Sequence, residues 1–82
     1  MKPEIRKAIE ELIPLYDEVD SSDLEGIATA KAYEIIKKAK PTQNALISML
    51  EIMDLADIIL EGAYDEINAR ERTEATQEGS YD

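Results

Sequence analysis

The fold of this chain is decided by its longest apolar segment, QNALISMLEIMDLADIILEGAYDEINA, which spans residues 43–69. Its apolar residues recur every three or four positions, the spacing of one side of an α-helix. A second apolar strip lies beside the first, so the middle of this helix is apolar over more than half of its circumference. We therefore predict a long helix with more apolar surface than two neighbouring helices would cover. The predicted main face consists of Ala45, Met49, Ile52, Met53, Ala56, Leu60, Ala63 and Ile67.

Two shorter helices are predicted ahead of this segment. Residues 3–19 carry apolar side chains at helical spacing, and Pro14 inside that pattern should kink or split the helix near Leu12 and Ile13. Residues 23–39 carry a second apolar stripe that is rich in alanine. Because the connections are short, neighbouring helices should run antiparallel. The predicted fold is all-α, an antiparallel three-helix bundle whose first helix is kinked at Pro14 and whose third helix is long.

Cap signals and a change in composition set the boundaries of the helices. Ser22 and Glu25 form a capping-box pattern before the second helix. Pro41 should end that helix, and Thr42 can cap the third. Residues 71–82 have no apolar periodicity and are rich in polar residues, which predicts a flexible acidic tail, either disordered or a frayed helix end. Residues 1–70 then form one helical bundle domain.

The composition excludes several kinds of chemistry. The 82 residues contain no Cys and no His, which rules out disulfides, thiolate metal sites, catalytic triads and the commonest general base. The net charge of −10 opposes direct binding to nucleic acid or to an anionic membrane. The first residues are charged and form no apolar signal segment. We predict a cytoplasmic protein that is not an enzyme and has no catalytic residue, cofactor or metal.

An acidic stripe follows the long predicted helix. Its members are three or four positions apart and fall within about one-third of the helix circumference. Residues 41–70 hold six acids and one base, whereas residues 21–40 hold three acids and four bases. The stripe is either a solvated helix face or a docking surface for a protein with a basic surface. It consists of Glu51, Asp54, Asp57, Glu61 and Asp65.

The apolar excess of the same helix predicts self-association. Small domains often gain stability from a second copy of themselves, and no disulfide or thiolate metal site is available to this chain. The second apolar strip is the predicted contact between two copies. It consists of Leu55, Ile58, Ile59 and Gly62.

Two acid pairs have the spacing of metal ligands. Asp20-x-x-Asp23 precedes Glu51-x-x-Asp54. These four residues resemble the ExxE…ExxD pattern of the all-α nucleotide pyrophosphohydrolases, although both positions of the first pair are Asp. The resemblance implies a magnesium-dependent hydrolase whose helical acids hold the metal.

The sequence thus leaves three functions open. The first is a small acidic interaction protein, a homodimer or a subunit of a complex, that docks on another protein and inhibits or regulates it. The second is a DNA mimic that occupies the groove of a nucleic-acid-binding protein. The third is the magnesium-dependent hydrolase. We expect the first.

Overall fold

The computed structural model describes the backbone of residues 1–79 and the side chains of residues 1–72. Within residues 1–79 the chain forms three α-helices and no strand. Helix α1 is Pro3–Leu12, α2 is Ser21–Ala39 and α3 is Ala45–Gly79. The predicted all-α fold is confirmed. The helices pack on one another, with α1 and α2 both lying against α3.

Helix α1 does not span all of residues 3–19 but ends at the predicted break near Leu12 and Ile13. It ends at Leu12, and a single 3₁₀ turn, Ile13–Leu15, follows it. Proline has no N–H to donate and its ring crowds the preceding turn, so the α-helical hydrogen bonds stop ahead of Pro14. The chain then turns through backbone hydrogen bonds that Glu18 and Val19 donate to the carbonyl oxygen of Leu15, at 2.9 and 3.1 Å. The chain therefore has no kinked helix reaching Val19.

Helix α2 begins two residues earlier than predicted and ends where predicted. Its N-cap is Asp20, which makes no side-chain cap hydrogen bond, so the structure does not form the predicted capping box of Ser22 and Glu25. Lys37 and Lys38 occupy the last turn, where cations favour the negative end of the helix dipole.

Helix α3 extends ten residues beyond the predicted end at residue 69. Its backbone is helical as far as Gly79, so most of the predicted tail, residues 71–82, belongs to this helix. The reason is that residues 69–78 consist largely of good helix formers, Ala, Arg, Glu and Gln, which need no apolar neighbour. Residues 80–82 lie outside the described part of the chain.

The core lies between the three helices and includes several alanines, which allow the helices to approach closely. The buried residues that α3 contributes start at Leu55, and Ile52 packs against them while partly buried. None of the helices in residues 1–79 combines the length and the apolar run that a bilayer crossing requires. The buried residues are Ala8, Ile9, Leu12, Leu24, Ala28, Ala32, Leu55, Ala56, Ile59, Ala63 and Ile67.

Candidate functional site on the third helix

The first ten residues of α3, residues 45–54, contain seven apolar side chains and none of them is buried. Leu46 is 71% exposed and Leu50 is 65% exposed. Met53 and Met49 are 58% and 57% exposed. The sequence places Met49 and Met53 on the core face, and that prediction is wrong because neither α1 nor α2 covers them.

These exposed side chains share one side of the helix. At 3.6 residues per turn, Leu46, Met49, Leu50 and Met53 fall within about 100° of arc. We call these four residues the apolar face. Ile47 is 51% exposed and lies beside this arc. Clustered apolar side chains of this size mark a contact surface more often than isolated ones do.

Polar contacts fix the start of α3 and thereby position the apolar face. The Asn44 side-chain oxygen accepts hydrogen bonds from the backbone N–H groups of Leu46, at 2.9 Å, and Ile47, at 3.4 Å. Asn44 therefore caps the helix, the role that the sequence analysis gave to Thr42. The Gln43 amide donates a hydrogen bond to the Ser48 hydroxyl at 3.1 Å, which ties the preceding turn to the helix.

An ion pair joins the same end of α3 to the end of α2. The Lys40 ammonium donates hydrogen bonds to both carboxylate oxygens of Glu51, at 2.8 and 3.1 Å. The hydrogen bond from Lys40 holds the pKa of Glu51 below its ordinary value, and the positive charge of Lys40 adds to this effect. Glu51 is thus occupied by an internal contact.

The other four acids of the predicted stripe are exposed. Asp54, Asp57, Glu61 and Asp65 form no ion pair within the part of the chain that the structure describes. Asp57 lies on the same arc of α3 as the apolar face, one turn after Met53. An acidic surface therefore adjoins the apolar one, and its role as a docking surface stays a prediction.

The predicted self-association residues lie mostly inside the chain. Leu55 and Ile59 are in the core, packed among residues of α1 and α2. A Cβ added to Gly62 would lie 2.6 Å from the Cδ1 atom of Ile9, so Gly62 lets α1 approach α3 closely. Ile58 alone is half exposed. A surface for a second copy must therefore be sought earlier on α3, because α1 and α2 cover the predicted one.

The two acid pairs of the hydrolase pattern are not brought together. Asp20 and Asp23 lie at the start of α2, whereas Glu51 contacts Lys40 at its end. Among the described residues, no group of three or more acids is placed to hold a metal ion. The structure therefore does not assemble the site that the resemblance implies.

A shallow groove of about 470 Å³ lies between α1 and α2. Lysines and glutamates alternate along it, and its central charges neutralise each other because Lys31 pairs with Glu11. That hydrogen bond holds the pKa of Glu11 below its ordinary value. The charged residues that line the groove are Lys2, Glu4, Lys7, Glu11, Lys31, Glu34 and Lys38.

No protein-family model, curated protein or solved structure matches this chain.

Proposed function

We propose that this chain is a small acidic, non-enzymatic interaction protein of the cytoplasm that associates with a second copy of itself and docks on a partner protein to regulate it. The observation that supports self-association is the apolar face of α3. This face projects from a helix whose start is fixed by Asn44 and Lys40, so it is presented in a defined position. The acidic residues beside it, Asp54 to Asp65, supply the surface for a basic partner.

The size of the apolar face is consistent with an interface. Together with Ile47, the four side chains expose on the order of 500 Å² of apolar surface, in the upper part of the range of about 300–600 Å² for the largest patch on a monomer. Two such faces brought together would remove at most about 1,000 Å² from water, which is the size of a weak interface, since stable specific interfaces bury about 1,200–2,000 Å². A chain of 82 residues buries a small core, so this additional burial stabilises the fold as well.

Self-association is tested by one substitution on the apolar face and a matched one outside it. Light scattering across a range of concentrations should give the mass of a dimer for the unaltered chain. Leu50→Glu should give a monomer, because burying an unpaired carboxylate at the contact is strongly unfavourable. Ile58→Glu places the same charge on the same helix at a half-exposed position outside the face, and this variant should remain a dimer.

Two results would contradict the proposal. One is a monomeric mass for the unaltered chain at every concentration. The other is dissociation by Ile58→Glu together with a dimer that survives Leu50→Glu. Both variants change exposed positions, so the fold should persist in each, and the helical circular dichroism spectrum checks this.

The exposed acids favour a second candidate, a DNA mimic. Asp54, Asp57, Glu61 and Asp65 extend over about 17 Å of helix without a cation to neutralise them in the described part of the chain. Host DNA-binding proteins should then be retained by the immobilised chain at low salt and released by duplex DNA. Retention that neither salt nor duplex DNA reduces would contradict the mimic.

A further inference from the structure

The positions of the apolar face are symmetric along the helix. Leu46 and Met53 lie three residues to either side of the central pair, Met49 and Leu50. A surface with this spacing matches itself when one helix is turned end for end, as an antiparallel pair about a two-fold axis requires. We infer that α3 pairs antiparallel with α3 of a second copy, about a two-fold axis between Met49 and Leu50. This inference rests on the proposed self-association.

The antiparallel register places apolar side chains opposite apolar side chains throughout. Leu46 of one copy lies level with Met53 of the other, near the centre of the arc. Met49 and Leu50 flank the centre, and each meets its own counterpart within about 1.5 Å of axial offset. All four side chains are of similar length, so the two helices can approach evenly.

The surroundings of the apolar face favour the antiparallel direction over the parallel one. Tyr64 lies farther along the same arc of α3, and there the ring of Tyr16 packs edge-on against it, with the centroids 5.9 Å apart. A second helix running parallel along this arc would meet the segment that carries Tyr16. An antiparallel helix starts at its own Ala45, level with Asp54, and leaves the arc before Tyr64 is reached.

Electrostatics favours the same direction. In the antiparallel register, Asp57 lies just beyond the first residue of α3 of the second copy, at the positive end of that helix dipole. The first turn of α3 contains no acid of its own, so this position is not already neutralised. In a parallel pair, Asp57 would lie beside Asp57 of the second copy, and the two acidic stripes would repel each other along their length.

Disulfide formation between single-cysteine variants tests the register, since the chain has no Cys of its own. Leu50→Cys should link to itself. Leu46→Cys should not link to itself, because the two sulfurs would be about 10 Å apart along the axis, beyond the reach of a disulfide. A mixture of Leu46→Cys and Met53→Cys chains should give the mixed disulfide. Ile58→Cys, outside the face, should stay reduced and serves as the control.

Other outcomes overturn the inference in distinguishable ways. Leu46→Cys chains that link to themselves while the mixture does not would show parallel pairing, and a dimeric mass would leave the proposed function standing. A monomeric mass for the unaltered chain would contradict both the antiparallel pairing and the proposed self-association.

The substitution Asp57→Asn gives an independent test of the register, in a measurement of the dimer Kd at low salt. It should raise the dimer Kd about three- to thirtyfold in the antiparallel register, because the symmetric dimer contains this contact twice, whereas in a parallel pair it should lower the Kd.

Discussion

Within the apolar part of α3, residues 45–67, the first half (residues 45–54) and the second half (residues 55–67) have similar apolar content and opposite surroundings. Residues 45–54 contribute no buried residue, and only Ile52 among them packs partly buried against the core, whereas residues 55–67 supply five of the eleven buried residues. The second half is packed by α1 and α2, and Gly62 admits Ile9 at close range. The first half is fixed by the packing of Ile52 and by polar contacts, namely the Asn44 cap and the Lys40–Glu51 ion pair.

The difference arises from helix length. Helix α3 has 35 residues and is about 52 Å long, whereas α1 has ten residues and is about 15 Å long. The break at Pro14 shortens α1, so it covers α3 only over a few turns. The comparison shows that an apolar helix face is core only where a neighbouring helix is long enough to reach it. What remains uncovered at the start of α3 is available for another chain.

The largest effect on the free energy of unfolding is expected when Leu is replaced by Ala in each half of α3 in turn. Leu55→Ala should lower the free energy of unfolding by about 2–4 kcal/mol, because Leu55 is only 8% exposed and the deletion leaves a cavity. Leu50→Ala removes the same atoms from an exposed position and should change the free energy of unfolding by less than about 0.5 kcal/mol. Urea unfolding measures both values.

This measurement should be made at a concentration where the chain is monomeric, since association adds to the apparent stability. Equal losses for Leu50→Ala and Leu55→Ala would show that the first half of α3 is covered within the monomer. The contrast between the halves, and with it the apolar face, would then be lost.

A smaller effect is expected at the two glycines inside helices. Gly26 of α2 has open space around it, so Gly26→Ala should raise the free energy of unfolding by about 0.5–1 kcal/mol through helix propensity alone. Gly62→Ala gains the same helix propensity, but its new methyl group overlaps the side chain of Ile9. Such overpacking costs about 1–3 kcal/mol. Gly62→Ala should therefore be the less stable variant by at least about 1 kcal/mol in thermal or urea unfolding. Equal gains would mean that α1 does not approach the second half of α3 closely.

The sequence was sufficient to predict the helices but not which of their faces are covered. Periodicity identified all three, and Pro14 and Pro41 marked the two breaks. Met49 and Met53 fit the helical stripe as well as Ala56 and Ala63 do, so their exposure depends on where the neighbouring helices end. That is a property of the packed chain and leaves no local signal.

The same limit explains the misplaced self-association surface. Leu55, Ile59 and Gly62 form a second apolar strip in the sequence, and the arrangement of three helices decides that α1 occupies it. The acids were easier to predict as a set, because a helical stripe of charges follows from spacing alone. The ion pair between Glu51 and Lys40 was not predictable, because the shape of the turn between α2 and α3 decides whether the two side chains meet.

The smallest effect concerns the ion pair that ties the uncovered half of α3 to the end of α2. The pKa of Glu51 lies below its ordinary value of 4.5, so the pair stabilises the folded chain above that pH and loses this contribution as the pH falls through the lowered pKa. Lys40→Met should lower the Tm slightly at neutral pH and leave it equal to that of the unaltered chain in acid. Lys37→Met removes the same charge from an exposed position outside the ion pairs of the described residues, and its Tm should show no such convergence. A Lys40→Met deficit that persists near pH 3 would contradict the ion pair with Glu51 as the source of the effect, because Glu51 is then protonated.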